Sequence, residues 1–224
     1  VVFNWPADTV RKFFVKEAGV KKPIDKKSNY VKRCVGLAGD TLEIIGGFVH
    51  INGKKNILPD RAKVLYNFKA YSSRGISSRK LLNLGIKDFN RRFRIDNITQ
   101  TSYDQIAPYV LGNIGNSQDN FTVVTRHTGL PLDLISSLGL RVSEILQQSK
   151  DLNLTVKEAK KIESQSWIDS LVQRNQKIKT PNSSFFPNKI PFDWNQDNFG
   201  PIVIPKEGVK IKLDINNLPL YKKI

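Results

Sequence analysis

Lys32 is the residue whose setting most clearly suggests chemistry. It lies in an alternating segment, Tyr30 to Val35, that predicts a β-strand with Tyr30, Lys32 and Cys34 on one face. A lysine held among apolar neighbours on a packed face loses solvent, which favours the neutral amine and makes it available as a base. A lysine at a sheet edge commonly keeps its charge in water, so the spacing alone also fits a solvated side chain.

Other residue types that carry chemistry are sparse or poorly placed. The single cysteine, Cys34, excludes an internal disulfide and a cysteine-based zinc site, and two histidines do not make a histidine-rich metal site. Asp193 and Asp197 lie among aromatic residues and fit a loop pinned to a core better than a metal or sugar site. The serine pairs at 77–78 and 183–184 have no base near them in the sequence, so we expect neither to supply a nucleophile.

The composition describes a basic, globular chain. Its 224 residues are 39% apolar and 25% charged, which is enough to bury a core, and no apolar run is long enough to span a bilayer. The net charge is +16, and residues 1–100 hold 21 basic and 8 acidic residues. This excess suggests an anionic partner such as nucleic acid or a membrane surface, although scattered solubilising charge fits as well. Because methionine is absent and the chain begins in a strand-like stretch, we expect a fragment of a longer protein.

The pattern predicts strands at both ends and mixed elements between them. The cleanest helix should begin at Thr155, where Thr155 and Glu158 form a capping box. Apolar residues then recur on roughly one face, at Ala159, Ile162, Ile168, Leu171 and Val172. A short helix should begin at Ser77 or Ser78 and end before Gly85, and a longer one should cover 132–149. Strands are predicted at 1–5, 30–35, 41–45, 48–51, 64–71, 91–98, 121–126, 201–205 and 209–215. No internal repeat is evident.

The segment from Tyr30 to Asp40, YVKRCVGLAGD, closely resembles the lysine box of type I signal peptidase, the bacterial leader peptidase, Y-[IV]-K-R-[VA]-V-G-L-P-G-D. It departs at Ala38, where proline is usual, and at Cys34, where valine or alanine is usual. Residues 1–6 resemble the end of the preceding family box, and residues 51–54 its I-N-G-K continuation. More loosely, the segments 193–205 and 217–221 are similar to enlarged signal peptidases of the Bacteroidetes type, which carry a long insert.

The resemblance implies a mainly β fold: an antiparallel framework of signal-peptidase type carrying an α/β insertion. The framework would comprise residues 1–57 and 181–224, and the insertion residues 58–180. The family cleaves signal peptides after small residues with a serine–lysine dyad, in which Lys32 matches the general base. The serine lies in an S-M-x-P box, which a chain without methionine does not contain. We therefore expect this chain alone not to cleave.

The resemblance also implies roles for the neighbours of Lys32. Asn29, Tyr30 and Val31 would pair with an extended substrate, and Val31 and Val2 would line shallow apolar pockets, although ordinary core packing also fits both valines. Arg33 would support the site through a charge pair, and Asp40 would brace the glycine turn.

The expected partners are secretory preproteins and an anionic membrane surface, on the outer, periplasmic side of the cytoplasmic membrane. No metal, cofactor or nucleic acid is expected. Two alternatives remain open: a basic nucleic-acid-binding module, and a non-catalytic extracytoplasmic interaction domain that keeps the peptidase boxes as scaffold.

Overall fold

The chain divides into two compact units. The computed structural model describes residues 1–4, 10–11, 20–21, 29–114, 121–187 and 191–221. Unit 1 consists of residues 1–57 and 176–224, and unit 2 of residues 58–175. That unit 2 is an insertion into a peptidase framework stays a prediction.

The described elements are mostly short strands. The strands are β1 Val2–Asn4, β2 Val10–Arg11, β3 Val20–Lys21, β4 Asn29–Val31, β5 Thr41–Ile45, β6 Phe48–Ile51, β7 Lys54–Lys55, β8 Tyr66–Ile76, β9 Asn90–Asp96, β10 Val110–Ile114, β11 Phe121–Arg126, β12 Arg141–Glu144, β13 Gln147–Leu154, β14 Ser170–Gln173 and β15 Phe199–Val203. The helices are α1 Ser78–Asn83, α2 Gln100–Ile106, α3 Leu132–Ser137, α4 Val156–Glu163 and α5 Leu218–Tyr221. Every strand pair that the structure describes is antiparallel, which confirms the mainly β, antiparallel class.

Unit 1 contains a four-stranded sheet in the order β15-β5-β6-β7. Its central hairpin joins β5 to β6 through Gly46 and Gly47, whose φ angles of 57° and 83° lie in the left-handed region that glycine adopts without strain. Two glycines between two apolar runs predict this hairpin, and its strands have the predicted bounds. β1 pairs with β4 in a separate two-stranded ladder.

Unit 2 contains a four-stranded sheet in the order β10-β11-β9-β12. The chain runs β9-α2-β10-β11-α3-β12, and the two central strands, β9 and β11, are the first and third of the four. This is the β-α-β-β-α-β topology of ferredoxin-like folds. Phe93, Ile95 and Val123 of the central strands are buried against Ile106 of α2, with Leu134 and Ile135 of α3 packed on the same cluster.

The second sheet of unit 2, β13-β8-β14, has a related topology. β8 lies between β13 and β14, which are joined through α4. A single bridge from Phe89 to Leu152 adds a rudimentary strand beside β13. Counting that bridge, the chain order is again strand, helix, strand, strand, helix, strand. Ala70, Leu152 and Leu154 of this sheet bury apolar surface against Leu81 of α1 and Ile162 of α4.

The two sheets reveal an internal repeat, contrary to the expectation from the sequence. α1 begins at Ser78 and α3 at Leu132, and the two helices have equal length. Each ends alike: Ile86 N–H donates to Leu81 C=O at 3.1 Å, and Leu140 N–H donates to Ile135 C=O at 3.1 Å. The following helix of each repeat, α2 or α4, begins with a threonine in a capping box.

The two repeats are interleaved. We define the first repeat as residues 66–114 and the second as residues 121–173. β8 of the first repeat lies between two strands of the second, β13 and β14, whereas β11 of the second repeat lies between two strands of the first, β9 and β10. In each sheet, a strand of one repeat therefore lies between two strands of the other, so neither repeat buries its apolar residues alone.

This interleaving predicts that the two repeats stay together when the chain between them is cut. Protease sites would be placed within residues 115–120, after Ile57 and after Asn175, which would release unit 2 in two pieces. We expect the pieces to co-elute in size-exclusion chromatography as one species, because separation would remove a central strand from each sheet. Separate elution without denaturant would contradict the interleaving.

Three of the predicted elements differ most from the structure. The helix predicted over 132–149 ends at Ser137, because Leu138 caps it and Gly139 turns the chain at a φ of 62°, after which β12 and β13 follow. The helix from Thr155 ends at Glu163, and Ile168 and Leu171 reach the same core from a turn and from β14, whereas Val172 is exposed. No strand forms at 209–215, where no described strand pairs with the alternating residues.

Candidate functional site

The ladder between β1 and β4 brings together residues predicted to bind substrate. Val2 lies opposite Val31, Phe3 opposite Tyr30, and Asn4 opposite Asn29. Residues directly opposite each other in an antiparallel pair share a face of the ladder. Val2 and Val31 therefore form an apolar pair on one face, and they are 65% and 73% exposed. Of the two interpretations of these valines, the exposure speaks against ordinary core packing and leaves the pair accessible to another chain.

Lys32 follows directly after β4. Its backbone N–H donates to Val1 C=O at 3.0 Å, which extends the hydrogen-bonded ladder by one position. The predicted strand 30–35 thus ends at Val31, and the Lys32 side chain is exposed. The described residues around Lys32 do not remove it from solvent, so its role as a base stays a prediction.

The two residues predicted to support the site differ in their contacts. Asp40 braces the glycine turn: its Oδ2 accepts from Leu37 N–H at 2.8 Å and its Oδ1 accepts from Asn52 Nδ2 at 2.8 Å. These two bonds, the Leu37 bond first, hold the pKa of Asp40 below its usual value. Arg33 is exposed, and no carboxylate among the described residues lies within salt-bridge distance of it.

The loop before β15 is organised by a buried asparagine that the sequence did not single out. Asn195 is fully buried, and its Nδ2 donates to Lys177 C=O at 2.9 Å and to Thr180 C=O at 3.0 Å. Its Oδ1 accepts from the backbone N–H groups of Asp197 at 3.0 Å and Asn198 at 2.9 Å. Asn195 therefore satisfies four backbone groups at once.

The same loop holds the β5–β6 hairpin. Asp197 C=O accepts from Gly47 N–H at 2.8 Å, and Asn198 Oδ1 accepts from Gly46 N–H at 3.3 Å. The Asp197 carboxylate accepts from Gln176 N–H at 2.7 Å. Within the described residues no cluster of histidine, cysteine and carboxylate side chains could hold a metal. Asn195, Asp197 and Asn198 of this loop thus have structural partners.

Unit 2 contains a buried serine–lysine pair that sequence analysis missed. Lys150 Nζ donates to Ser78 Oγ at 3.0 Å, and Ser78 Oγ donates to Glu144 Oε1 at 2.5 Å. Glu144 also accepts from Arg91, at 3.0 Å from Nε and 2.7 Å from Nη2. Lys150 Nζ lies 5.0 Å from the centre of the Phe89 ring. The alternation of Lys150 with Leu152 and Leu154, all on one strand face, was the available signal.

This pair is arranged as a structural network and not as a nucleophile with its base. Ser78 and Lys150 are 2% and 4% exposed, so a peptide cannot reach the hydroxyl. The lysine donates to the serine, and the serine proton is directed at Glu144, whereas a base must accept that proton. Burial lowers the pKa of Lys150 to about 8. The negative charge of Glu144 acts in the opposite direction but is the smaller effect. Burial acts to raise the pKa of Glu144, but the bonds from Arg91 and Ser78 outweigh it and lower that pKa.

Lys150 should make the stability of unit 2 rise with pH. The unfolded lysine keeps its proton up to a pKa near 10.5, whereas the folded lysine loses it near 8. Between these values the unfolded state binds more protons, so the free energy of unfolding increases with pH in that window. From pH 7.5 to 9.5, the free energy of unfolding of the wild type should increase by about 1–2 kcal/mol relative to that of Lys150→Met. Urea unfolding at both pH values measures it, and a constant difference would contradict the prediction.

A comparison with known protein families finds a match in the N-terminal part of the chain. Residues 1–103 match the model described as signal peptidase, peptidase S26. The resemblance to type I signal peptidases is confirmed over this part of the chain. The match contains the whole segment from Tyr30 to Asp40 and ends within α2. No curated protein and no solved structure matches the chain.

The matched model describes a family of serine-type peptidases, a class of hydrolases, and residues 1–103 are similar to it. The match covers all seven residues predicted for the site, Val2, Asn29, Tyr30, Val31, Lys32, Arg33 and Asp40. Helices of the described residues are too short and too polar for any of them to cross a membrane.

Proposed function

We propose that this protein removes signal peptides from secretory preproteins, with Lys32 as the general base. The match of residues 1–103 to the signal peptidase family, which includes the lysine-box segment, carries the proposal. In this reaction a serine hydroxyl attacks the scissile carbonyl while the neutral lysine takes its proton, and the proton then passes to the leaving amine. No serine of this chain is assigned to that role, because Ser78, which is paired with Lys150 among the described residues, is buried.

The β1–β4 ladder supports a mode of substrate binding. Asn29, Tyr30 and Val31 are exposed strand residues, and we propose that an extended preprotein segment binds along this part of the ladder. A preprotein segment bound there would run past Lys32 at the end of the ladder. The bound preprotein segment would also cover Lys32 and exclude water from it, which favours the neutral amine that a lysine base requires.

The Val2–Val31 pair gives this mode a specific test. In the complete gene product, Val31→Trp should lower kcat/KM for a preprotein with alanine before the scissile bond by about 10-fold or more, because the indole fills a shallow pocket. Thermal melting should change little, since Val31 is 73% exposed. Val203→Trp, at another exposed strand valine, is the matched control and should leave processing unchanged.

The assay also tests the proposed activity itself. The complete gene product should cleave the preprotein with alanine at this position and leave its leucine counterpart intact. Equal cleavage of both preproteins would overturn the specificity. No cleavage of either would favour the alternative of a non-catalytic interaction domain. The proposed location is the outer side of the cytoplasmic membrane, where preproteins emerge.

A further inference from the structure

One face of the β10-β11-β9-β12 sheet carries none of the described helices. Burial alternates along β9, where Phe93 and Ile95 are buried and Arg92 and Arg94 are exposed. The buried residues pack against Ile106 of α2 and the apolar residues of α3. Both helices therefore lie on the Phe93 side. The opposite face, which we call the arginine face, carries the exposed side chains of Arg92 and Arg94, whereas Thr122 of β11 is buried.

Four arginines lie on or at the ends of the arginine face. Arg92 lies opposite Val124 and Arg94 opposite Thr122, so β9 and β11 share this face, and Arg126 of β11 lies opposite Asn90. Arg141 of β12 lies opposite Asp96. The arginine face extends along β9 from Asn90 to Asp96, a distance of six residues or about 20 Å.

The charge of this face is unbalanced within the described residues. Arg92, Arg94, Arg126 and Arg141 are all exposed, and Asp96 is the one acidic residue at these register positions. None of the four lies in a salt bridge with a described carboxylate. By contrast, Arg91, on the other side of the same strand, pairs with Glu144 at 2.7 Å. A sheet face with four such arginines attracts anions.

The side chains of the arginine face indicate which class of anion it binds. Guanidinium groups bind phosphate through paired N–H donors, and the strand spacing presents them as a flat array. Proteins that bind single-stranded nucleic acid on an open sheet stack bases on aromatic side chains, and the described residues of this face include none. Ile114 lies opposite Thr122 on the same face and is 48% exposed. Basic residues beside an exposed apolar residue suit a lipid surface.

We propose that the arginine face binds the phosphate headgroups of an anionic phospholipid membrane. The choice of a membrane rests in part on the proposed function, because a signal peptidase meets its substrates there. The charge of the face does not depend on that function, and its binding can be measured without any cleavage. Each basic residue near such a surface contributes about five-fold in affinity at moderate salt.

The test compares vesicle binding by two triple variants of the 224-residue chain. Arg92→Gln, Arg94→Gln and Arg126→Gln together remove three charges from the arginine face. Lys157→Gln, Lys160→Gln and Lys161→Gln together remove three exposed charges from α4, which packs on the other sheet of unit 2. Flotation with phosphatidylglycerol–phosphatidylcholine vesicles and with pure phosphatidylcholine vesicles, at about 0.15 M salt, gives the partition coefficients. Circular dichroism verifies that both variants are folded.

We expect the arginine variant to bind the anionic vesicles at least 10-fold more weakly than wild type, and the lysine variant to lose less than three-fold. Pure phosphatidylcholine vesicles should bind none of the three proteins appreciably. Equal losses in both variants would show attraction by net charge alone and overturn the proposal. Binding of a single-stranded oligonucleotide that is stronger than vesicle binding and is lost in the arginine variant would also overturn it, in favour of nucleic acid. If the chain bound vesicles as expected but the complete gene product cleaved no preprotein, the proposed function would be wrong and membrane binding by the arginine face would stand.

Discussion

Lys32→Arg in the complete gene product should lower preprotein processing by at least about 100-fold, which is the lower range for loss of a general base. An arginine keeps its proton at every accessible pH, so it cannot take the proton of a serine. The fold should be unaffected, because the Lys32 side chain is exposed and the described hydrogen bonds of Lys32, both with Val1, are made by its backbone. Processing rates and thermal melting of the same preparations measure both effects.

Lys54→Arg is the matched control for this substitution. Lys54 is an exposed lysine of β7, a strand of unit 1 that carries no predicted site residue. We expect its processing rate to stay within two-fold of wild type, a change of less than about 0.5 kcal/mol. Near-normal processing by Lys32→Arg would show that another group acts as the base. A large loss of thermal stability in Lys32→Arg would instead show a structural role.

Local signals in the sequence were sufficient for some elements of the fold. The Gly46–Gly47 turn fixes the β5–β6 hairpin, and β11 has its predicted bounds, Phe121–Arg126. The capping box of Thr155 and Glu158 marks the start of α4, where Thr155 Oγ1 accepts from Glu158 N–H at 3.2 Å. Each of these features depends on residues close together in the chain, so a single sequence contains the whole signal.

The interleaved repeats could not be predicted in the same way. The segments 75–86 and 129–140 follow one pattern, but only Gly75, Leu84 and Gly85 of the first have identical counterparts in the second. The pairing of β8 with β13 and β14 joins residues far apart in the chain, and nothing local specifies it. The polar content of β13 also obscured its strand character, since Lys150 occupies a buried position there.

The candidate site shows the same division between local and distant information. Asp40 braces its own turn through Leu37, three residues away, and the sequence predicted that role. Asn195 acts through residues 15 and 18 positions earlier, at Thr180 and Lys177, so its importance appears only in the structure. The aromatic residues beside it, which drew the first interpretation, form a cluster in which the Trp194 ring lies 4.6 Å from those of Phe192 and Phe199.

Asn195→Ala should therefore destabilise unit 1 strongly, by about 3 kcal/mol or more. The substitution leaves two backbone carbonyls, of Lys177 and Thr180, and two backbone N–H groups, of Asp197 and Asn198, without their partner. Each buried group that loses its hydrogen bond costs about 1 kcal/mol or more, and water entering the vacated space recovers part of that. The melting temperature should fall by about 10 °C.

Tryptophan fluorescence is a suitable probe of this unfolding, because Trp194 adjoins the substituted residue. Asn216→Ala is the matched control: Asn216 is an exposed asparagine of unit 1 and should tolerate the change within about 0.5 kcal/mol. Asn195→Asp separates the two halves of the network, since it keeps the acceptor for Asp197 and Asn198 but replaces the donor to Lys177 and Thr180 with an oxygen. It should be destabilising as well, and more so at pH 7 than at pH 4, where a protonated carboxyl donates to one carbonyl. If Asn195→Ala melted with the wild type, the loop would be held by its aromatic cluster and not by the buried amide.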